Sequence, residues 1–412
     1  MLAVKPRRYN GQPMVAMRAR RTGLIAWLLI VAAAVMWHGC EAQAPPAPAD
    51  TWSAGDVPVP DGRWPIWRGD RAMTGRADGA LGDALYLRWE ATLSDWPLSS
   101  PVVADGTVYV ASESGELIAL GLADGRTRWR VPIGDGQAAA EAPPMVYREH
   151  VYVGGGDGVM YAFDAATGEQ RWAHLTDDRI LASANVYPTP TADVLLVGSY
   201  DNHLYGLDPG DGERRWSARS ESYVHGAAAV AGDAVAFGGC DGKLRIIDPA
   251  SGDPRHVHDL GDPIIGTPAI VGGLLVVGDY GRRVVGVSIA DGQRRWTYDR
   301  AEGGFFSSPA LREDLVVIGS RDEAVHAIDP RDGQPRWRTP VGSSVDGSPV
   351  IAGQRVIVGS DAGRLYLLDA ADGRIVWEYD LGQRIAGGVA VVGDWVIVTT
   401  EAGAVYCFVS KP

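Results

Sequence analysis

One seven-residue phrase recurs down the chain and restricts its fold more than any other feature. Ala123-Asp-Gly-Arg-Thr-Arg-Trp129 returns as Ala166-Thr-Gly-Glu-Gln-Arg-Trp172, Gly210-Asp-Gly-Glu-Arg-Arg-Trp216 and Ala250-Ser-Gly-Asp-Pro-Arg-His256. It then returns as Ala290-Asp-Gly-Gln-Arg-Arg-Trp296, Arg331-Asp-Gly-Gln-Pro-Arg-Trp337 and Ala371-Asp-Gly-Arg-Ile-Val-Trp377. Successive closing residues lie 40 to 44 positions apart. Such a period, about 40 residues, belongs to propellers, solenoids or arrays.

The unit between Trp89 and Trp129 says which. Pro101-Val102-Val103 is a short apolar run, Asp105-Gly106 a turn, and Val108-Tyr109-Val110 a strand. Ser114-Gly115 reverses the chain, Leu117 to Leu120 is the next strand, and Asp124-Gly125 turns it into Thr127–Ile133. Short β-rich runs punctuated by Asp-Gly and Ser-Gly predict a four-stranded antiparallel meander, and no helical period follows residue 64. Repeated radially, that meander is a propeller blade. The first strands begin near Pro101, Pro144, Pro188, Ala228, Pro268, Pro309, Pro349 and Val389. The fourth strands carry Trp89, Trp129, Trp172, Trp216, His256, Trp296, Trp337 and Trp377. The prediction is an all-β fold, an eight-bladed β-propeller over residues 85–412. The chain ends on a third strand and begins with an unpaired fourth, Leu85 to Leu93, which should complete the last blade and remove the free sheet edges. The tryptophans are predicted to dock blade on blade, with each glycine supplying a left-handed turn. His256 breaks the pattern and predicts a weaker joint.

Ala162-Phe-Asp164-Ala-Ala-Thr-Gly168-Glu-Gln-Arg-Trp172 resembles the tryptophan-docking repeat of the PQQ-type propellers, as do Ala327–Trp337 and Leu367–Trp377. Arg63-Trp-Pro-Ile-Trp-Arg-Gly69 is similar to a segment that precedes the first blade in that family. The resemblance covers residues 64–412. It implies the propeller fold and two kinds of function: quinoprotein dehydrogenases, or non-enzymatic BamB-type lipoproteins of outer-membrane assembly.

Residues 1–39 hold six basic residues and no acid, and Leu24 to Trp37 is an apolar run of 14 residues. That is short for a membrane span of about 20 residues and reads as an export signal or an anchor. Gly39-Cys40 stands where a lipoprotein signal would be cut, with Cys40 lipidated. Retention of the apolar run and cleavage further on, near Ala49, are the alternatives. Each places the propeller outside the cytoplasm, on the periplasmic side of a bacterial membrane, and in the first two it is held by the N-terminal lipid or anchor alone. Residues 40–63, rich in Pro and Ala, predict an extended tether, and 64–84 a pre-propeller segment. Without the six basic residues of the leader, 32 of 38 remain against 51 acidic ones, which argues against nucleic acid and anionic lipid as partners. Cys240 and Cys407 fall in blades on opposite sides of the ring, too far apart to bridge, and are predicted to be free thiols.

A search for chemistry returns little. The resemblance implies that an enzyme would carry adjacent cysteines, tryptophan and Glu, Asn and Asp ligands; no Cys-Cys pair exists, and Asn185 and Asp346 are isolated. His256-Val-His258 sets two imidazoles on one strand face, short of the ligands that a zinc site needs. Gly154-Gly-Gly156-Asp-Gly158 opens no helix and reads as a hairpin turn, not a phosphate loop. No cofactor, metal or catalytic set is predicted. The loops joining each fourth strand to the next first strand share one face. They carry Asp95, Trp96, Asp177, Asp178, Arg179, Tyr187, Tyr223, His225, Phe305, Phe306, Asp346 and Arg384, aromatic beside charged as in protein-binding faces. The expected function is a tethered scaffold for envelope protein partners. A glycan or small ligand at the channel mouth, or a quinone-dependent dehydrogenase, are the other readings.

Overall fold

The computed structural model describes residues 58–411 apart from Asp95, Gln137 and Ala386. The leader, Cys40 and most of the tether lie outside the described residues. Eight sheets follow one another, each built on four antiparallel strands, in sequence order in all but the last; the seventh carries a fifth, parallel strand. Blade 1 runs Val102–Ala104, Thr107–Ser112, Glu116–Gly121 and Thr127–Pro132. Blade 8 takes Ala390–Val392, Trp395–Thr399 and Ala404–Ser410 from the end of the chain and Leu85–Thr92 from its start. Leu85 pairs with Ser410, Trp89 with Cys407 and Thr92 with Ala404. The inner strand of blade 8 also touches the inner strand of blade 1, so the eight-bladed ring closes as predicted. Cys240 and the buried Cys407 are both free thiols.

Burial follows from this stacking. Middle strands such as Thr107–Ser112 are covered on both faces, whereas outer strands such as Pro335–Pro340 alternate between half-buried and exposed. The recurrent phrase has a defined job. In blade 2 the Gly168 N–H donates to the Asp164 carbonyl at 2.9 Å, and the Asp164 carboxylate accepts from Ala166 and Thr167 N–H. Gly168 sits at φ +74°, with the Trp129 indole from blade 1 where a Cβ would stand, so no larger residue fits. The next strand bulges just before its tryptophan, between Gln170 and Trp172. The extra residue, Arg171, swings back onto Asp164 at 2.7 Å, while Trp172 passes forward and donates its indole N–H to Pro209 O in blade 3. Trp89 and Leu122, Trp216 and Pro249, Trp296 and Pro330, and Trp337 and Ala370 repeat that bond.

Two joints depart. His256 fills the tryptophan position above Gly292, with His258 beside it. At the seam, blade 8 has no turn between its third and fourth strands, because they come from opposite ends of the chain; Trp377 packs edge-on against Phe408 instead, 5.9 Å between centroids.

The pre-propeller segment does more than lead in. Residues 64–77 pass the inner strands in turn and take one bond from the middle of nearly every one. Trp64 exchanges two backbone bonds with Val103; then Val146 N–H donates to Pro65 O, Val230 to Arg71 O, Ile270 to Ala72 O, Leu311 to Thr74 O and Ile351 to Gly75 O. Blade 3 contributes the Asn185 amide, 2.8 Å from Arg71 O. The strap ends as a short parallel strand, Arg76–Ala77, beside Val350–Ala352 of blade 7. Its Arg68 is buried and donates to Pro309 O and Pro349 O at 3.1 and 2.6 Å. Burial lowers that guanidinium to about 9, against the nearby charge of Asp70.

Candidate mouth of the central channel

The strap leaves one end of the channel as a cavity of about 540 Å³, with Trp67 of the strap among its lining residues. Two sets of positions build its rim. One is the residue one or two places past the end of each second strand; its N–H donates to the loop entering the same blade. These residues are Glu113, Gly156, Tyr200, Cys240, Tyr280, Arg321, Asp361 and Glu401. The other lies in the entering loops themselves and includes Glu141, His225, Phe306 and Asp346. The frame repeats while these positions differ, so the rim divides into sectors.

Blades 3 to 6 supply an aromatic sector. Tyr200 and Tyr223 stack at 4.7 Å with 5° between planes, Arg179 lies over Tyr200 at 5.0 Å, and Tyr200 hydroxyl meets His225 Nδ1. Burial pushes Tyr200 up to about 12 and lowers His225, which keeps both neutral at pH 7. Tyr280 meets Phe306 edge-on at 5.4 Å, and Arg321 caps the Phe306 ring at 3.3 Å. Blades 6 to 8 supply a paired-charge sector. Arg321 grips Asp346 through two bonds of 2.8 and 2.7 Å, and Arg384 bonds Asp346, Asp361 and Glu401. Burial, with the Asp346 charge beside it, raises the Asp361 carboxyl. Blades 1 and 2 present Glu113 and Glu141, which meet no cation among the described residues. Burial raises Glu113, helped by the like charges of Glu141 and Glu401.

Most of the sequence-predicted face is here, with two corrections. Trp96, Arg179, Tyr223, His225, Phe306, Asp346 and Arg384 stand at or around the mouth, and Trp96 is 56% exposed. Phe305 is fully buried. It is one of six apolar pegs, Ile180, Val224, Ile264, Phe305, Val345 and Ile385, each seated on the second-strand glycine of the blade that its loop has just left. Phe305 occupies the space beside Gly278, where a Cβ would come within 2.6 Å. Tyr187 closes the inner strand Asn185–Tyr187 at its far end and packs against a core cluster. Its prolines explain the slip: elsewhere the proline precedes the inner strand, but Pro188 follows it. Two of the entering loops are pinned down: Ala138, Ala140 and Ala142 are buried in the second, between blades 1 and 2, and Thr176 Oγ1 is bonded to Gly158 O and Asp178 O in the third, between blades 2 and 3. Asp177 and Asp178 lie in that third loop; Asp95 lies outside the described residues. Sequence reasoning missed Tyr200, Tyr280, Arg321, Asp361, Glu113 and Glu401, because they sit beside hairpin turns.

The residues do not fit a quinone–metal site. Asn185 is spent on the strap and on Ala228 O, with its own oxygen held by Val186 N–H. Asp346 is held by two arginines. No group of three metal-binding side chains occurs among the described residues. His258 Nε2 is buried against Gly292 without a partner, in a blade joint and not a site. Gly155 and Gly158 close the predicted hairpin turn, Gly158 N–H on Gly155 O.

The family described as "Outer membrane protein assembly factor BamB" matches residues 86–223, 179–264, 220–348 and 342–411. The chain belongs to that family. Among solved structures, BamB from Moraxella catarrhalis is similar at a TM-score of 0.67 and 19% identity, covering 79% of this chain and 100% of that one. The quinohemoprotein alcohol dehydrogenase from Comamonas testosteroni is similar at 0.72 and 15%, covering 87% and 84%. The computationally designed Ika8 protein is similar at 0.67 and 15%, covering 77% and 98%. These likenesses carry the fold, and the propeller is shared by a BamB, an enzyme and a design alike. The sequence matches no curated protein.

Proposed function

We propose that this BamB-family chain is a non-catalytic, exported scaffold that binds an envelope protein through the channel-mouth face. One observation carries the reading. The exposed large aromatics among the described residues, Trp96, Tyr223 and Tyr280 at 56, 45 and 53%, all stand on that face, Tyr223 stacked on Tyr200 near Arg179 and Tyr280 beside the Phe306–Arg321 pair. Exposed tyrosine and tryptophan with arginine close by are the residue types on which protein interfaces concentrate their energy. Membership of a family described by outer-membrane protein assembly supports an envelope partner. The leader read from the sequence supports export, with Cys40 as the proposed lipid attachment.

Photo-crosslinking residues placed at Tyr223 and Trp96 test this, with Val257, on an outer strand, as the control. Both mouth positions are expected to give an adduct with the same envelope protein, while Val257 gives none. Adducts from Val257 alone, or from no position, contradict the proposal.

A further inference from the structure

The base of the mouth carries four hydroxyls whose bonding is half complete. Ala227 N–H donates to Thr267 Oγ1, Thr267 N–H to Ser308 Oγ, Ser308 N–H to Ser348 Oγ and Gly388 N–H to Ser100 Oγ, at 2.9 to 3.0 Å. Each bond ties one blade to the next. Each oxygen is thereby fixed as an acceptor, and its O–H donates to no group among the described residues. A hydroxyl always has that donor to place. All four side chains are at most 5% exposed and all line the cavity.

What such a ring would hold follows from the walls. The lining sets Glu113, Glu141, Asp346 and Glu401 against Arg321 and Arg384, so an anion meets surplus negative charge. A cation meets the two guanidiniums and the hydroxyl donors below. A neutral molecule rich in hydroxyls meets neither objection. It accepts from the ring and the arginines, and donates to the unpaired carboxylates of Glu113 and Glu141. The Trp67 indole offers a flat apolar surface for its C–H groups, and Phe306, whose ring Arg321 caps, adds apolar wall. The volume lies within the few hundred to about 1,000 Å³ typical of small-ligand sites.

We propose that the channel mouth is a binding site for a neutral saccharide, distinct from the protein contacts of the outer rim. The hydroxyl ring seats the sugar, the paired charges of blades 6 to 8 orient it, and Trp67 and Phe306 supply the apolar wall beside it.

Titration calorimetry of the purified chain with chitotriose, cellotriose and maltotriose tests this without the protein partner, so its failure would leave the scaffold reading standing. At least one sugar is expected to give saturable heat. Phe306→Ala should weaken that binding on the order of tenfold, the loss of one aromatic contact, and it breaks no blade-to-blade bond. Ser348→Ala should weaken it severalfold; because that change also strips the acceptor from Ser308 N–H, thermal unfolding is followed alongside. No heat from any of the three sugars overturns the proposal. So does binding that both variants leave unchanged. Binding of trilysine where no sugar binds also overturns it, by making Glu113 and Glu141 the determinant.

Discussion

Gly212 and Gly232 both hold a positive φ, +76° and +58°, yet only one has a neighbour above it. At Gly232 a Cβ meets nothing within 4 Å, so Gly232→Ala is expected to cost only the left-handed backbone term, about 1–2 kcal/mol. At Gly212 the Trp172 ring lies 2.6 Å from that Cβ. Gly212→Ala should therefore add an overpacking cost of about 1–3 kcal/mol and lose the larger amount in urea unfolding. A second residue-scale expectation concerns acid. His326 is fully buried, with Tyr298 hydroxyl on Nδ1 at 2.8 Å and Nε2 on Asp322 at 3.0 Å. Burial lowers its pKa below the ordinary 6.5 against the pull of Asp322, with the Arg338 charge adding to the lowering. The unfolded chain then binds the proton more firmly, so stability is full above about pH 6.5 and falls as pH drops through the folded value. His174, His225 and His258 are lowered by burial too. The thermal midpoint should fall between neutral pH and about pH 5, and His326→Gln should flatten part of that slope.

At the scale of elements, the strap is a removable part with a local signature. Its carbonyls cover the inner-strand N–H groups of Val103, Val146, Val230, Ile270, Leu311 and Ile351. Deleting residues 58–77 should speed hydrogen exchange at those six amides by orders of magnitude, with the second and third strands still protected, because an uncovered amide exchanges by small local openings. Equal exposure across all strands would mean that the strap holds the whole ring together. The blades were legible in the sequence because each turn needs its own residue type: Asp to cap it, Gly to turn it, Trp to cross to the next blade. The strap was not legible in this way. Its bonds run through backbone atoms, to which any sequence contributes, and only Trp64, Arg68 and the glycines around them hint at close packing. The mouth was half legible. Arg321, Tyr280 and Asp361 follow the short Gly-Ser or Gly-Asp stretch that ends each second strand, where the repeat keeps its frame and changes one residue. That alternation of constant and variable positions was available to be read. Phe305 was misassigned for the converse reason: it holds a constant position, with Ile180, Val224, Ile264, Val345 and Ile385, and constancy there means packing.

Residues 58–411 form a ring closed by Leu85–Thr92 against Ala404–Ser410, with a strap on one side of the channel and a patterned mouth on the other. Its faces differ because the repeat fixes the frame and frees the rim. That arrangement requires Leu85–Thr92 to lie beside Ala404–Ser410, since a ring opened there would separate the acidic sector of blade 1 from the paired charges of blade 8. Ala91 and Val405 face each other across that seam. The direct test is to place cysteines at both, Ala91→Cys with Val405→Cys, in a chain carrying Cys40→Ser, Cys240→Ser and Cys407→Ser, and to oxidise the folded protein. An intramolecular disulfide should form in high yield and raise the unfolding midpoint. Free thiols after oxidation, or disulfides only between molecules, would contradict the closed ring and the functional face built on it.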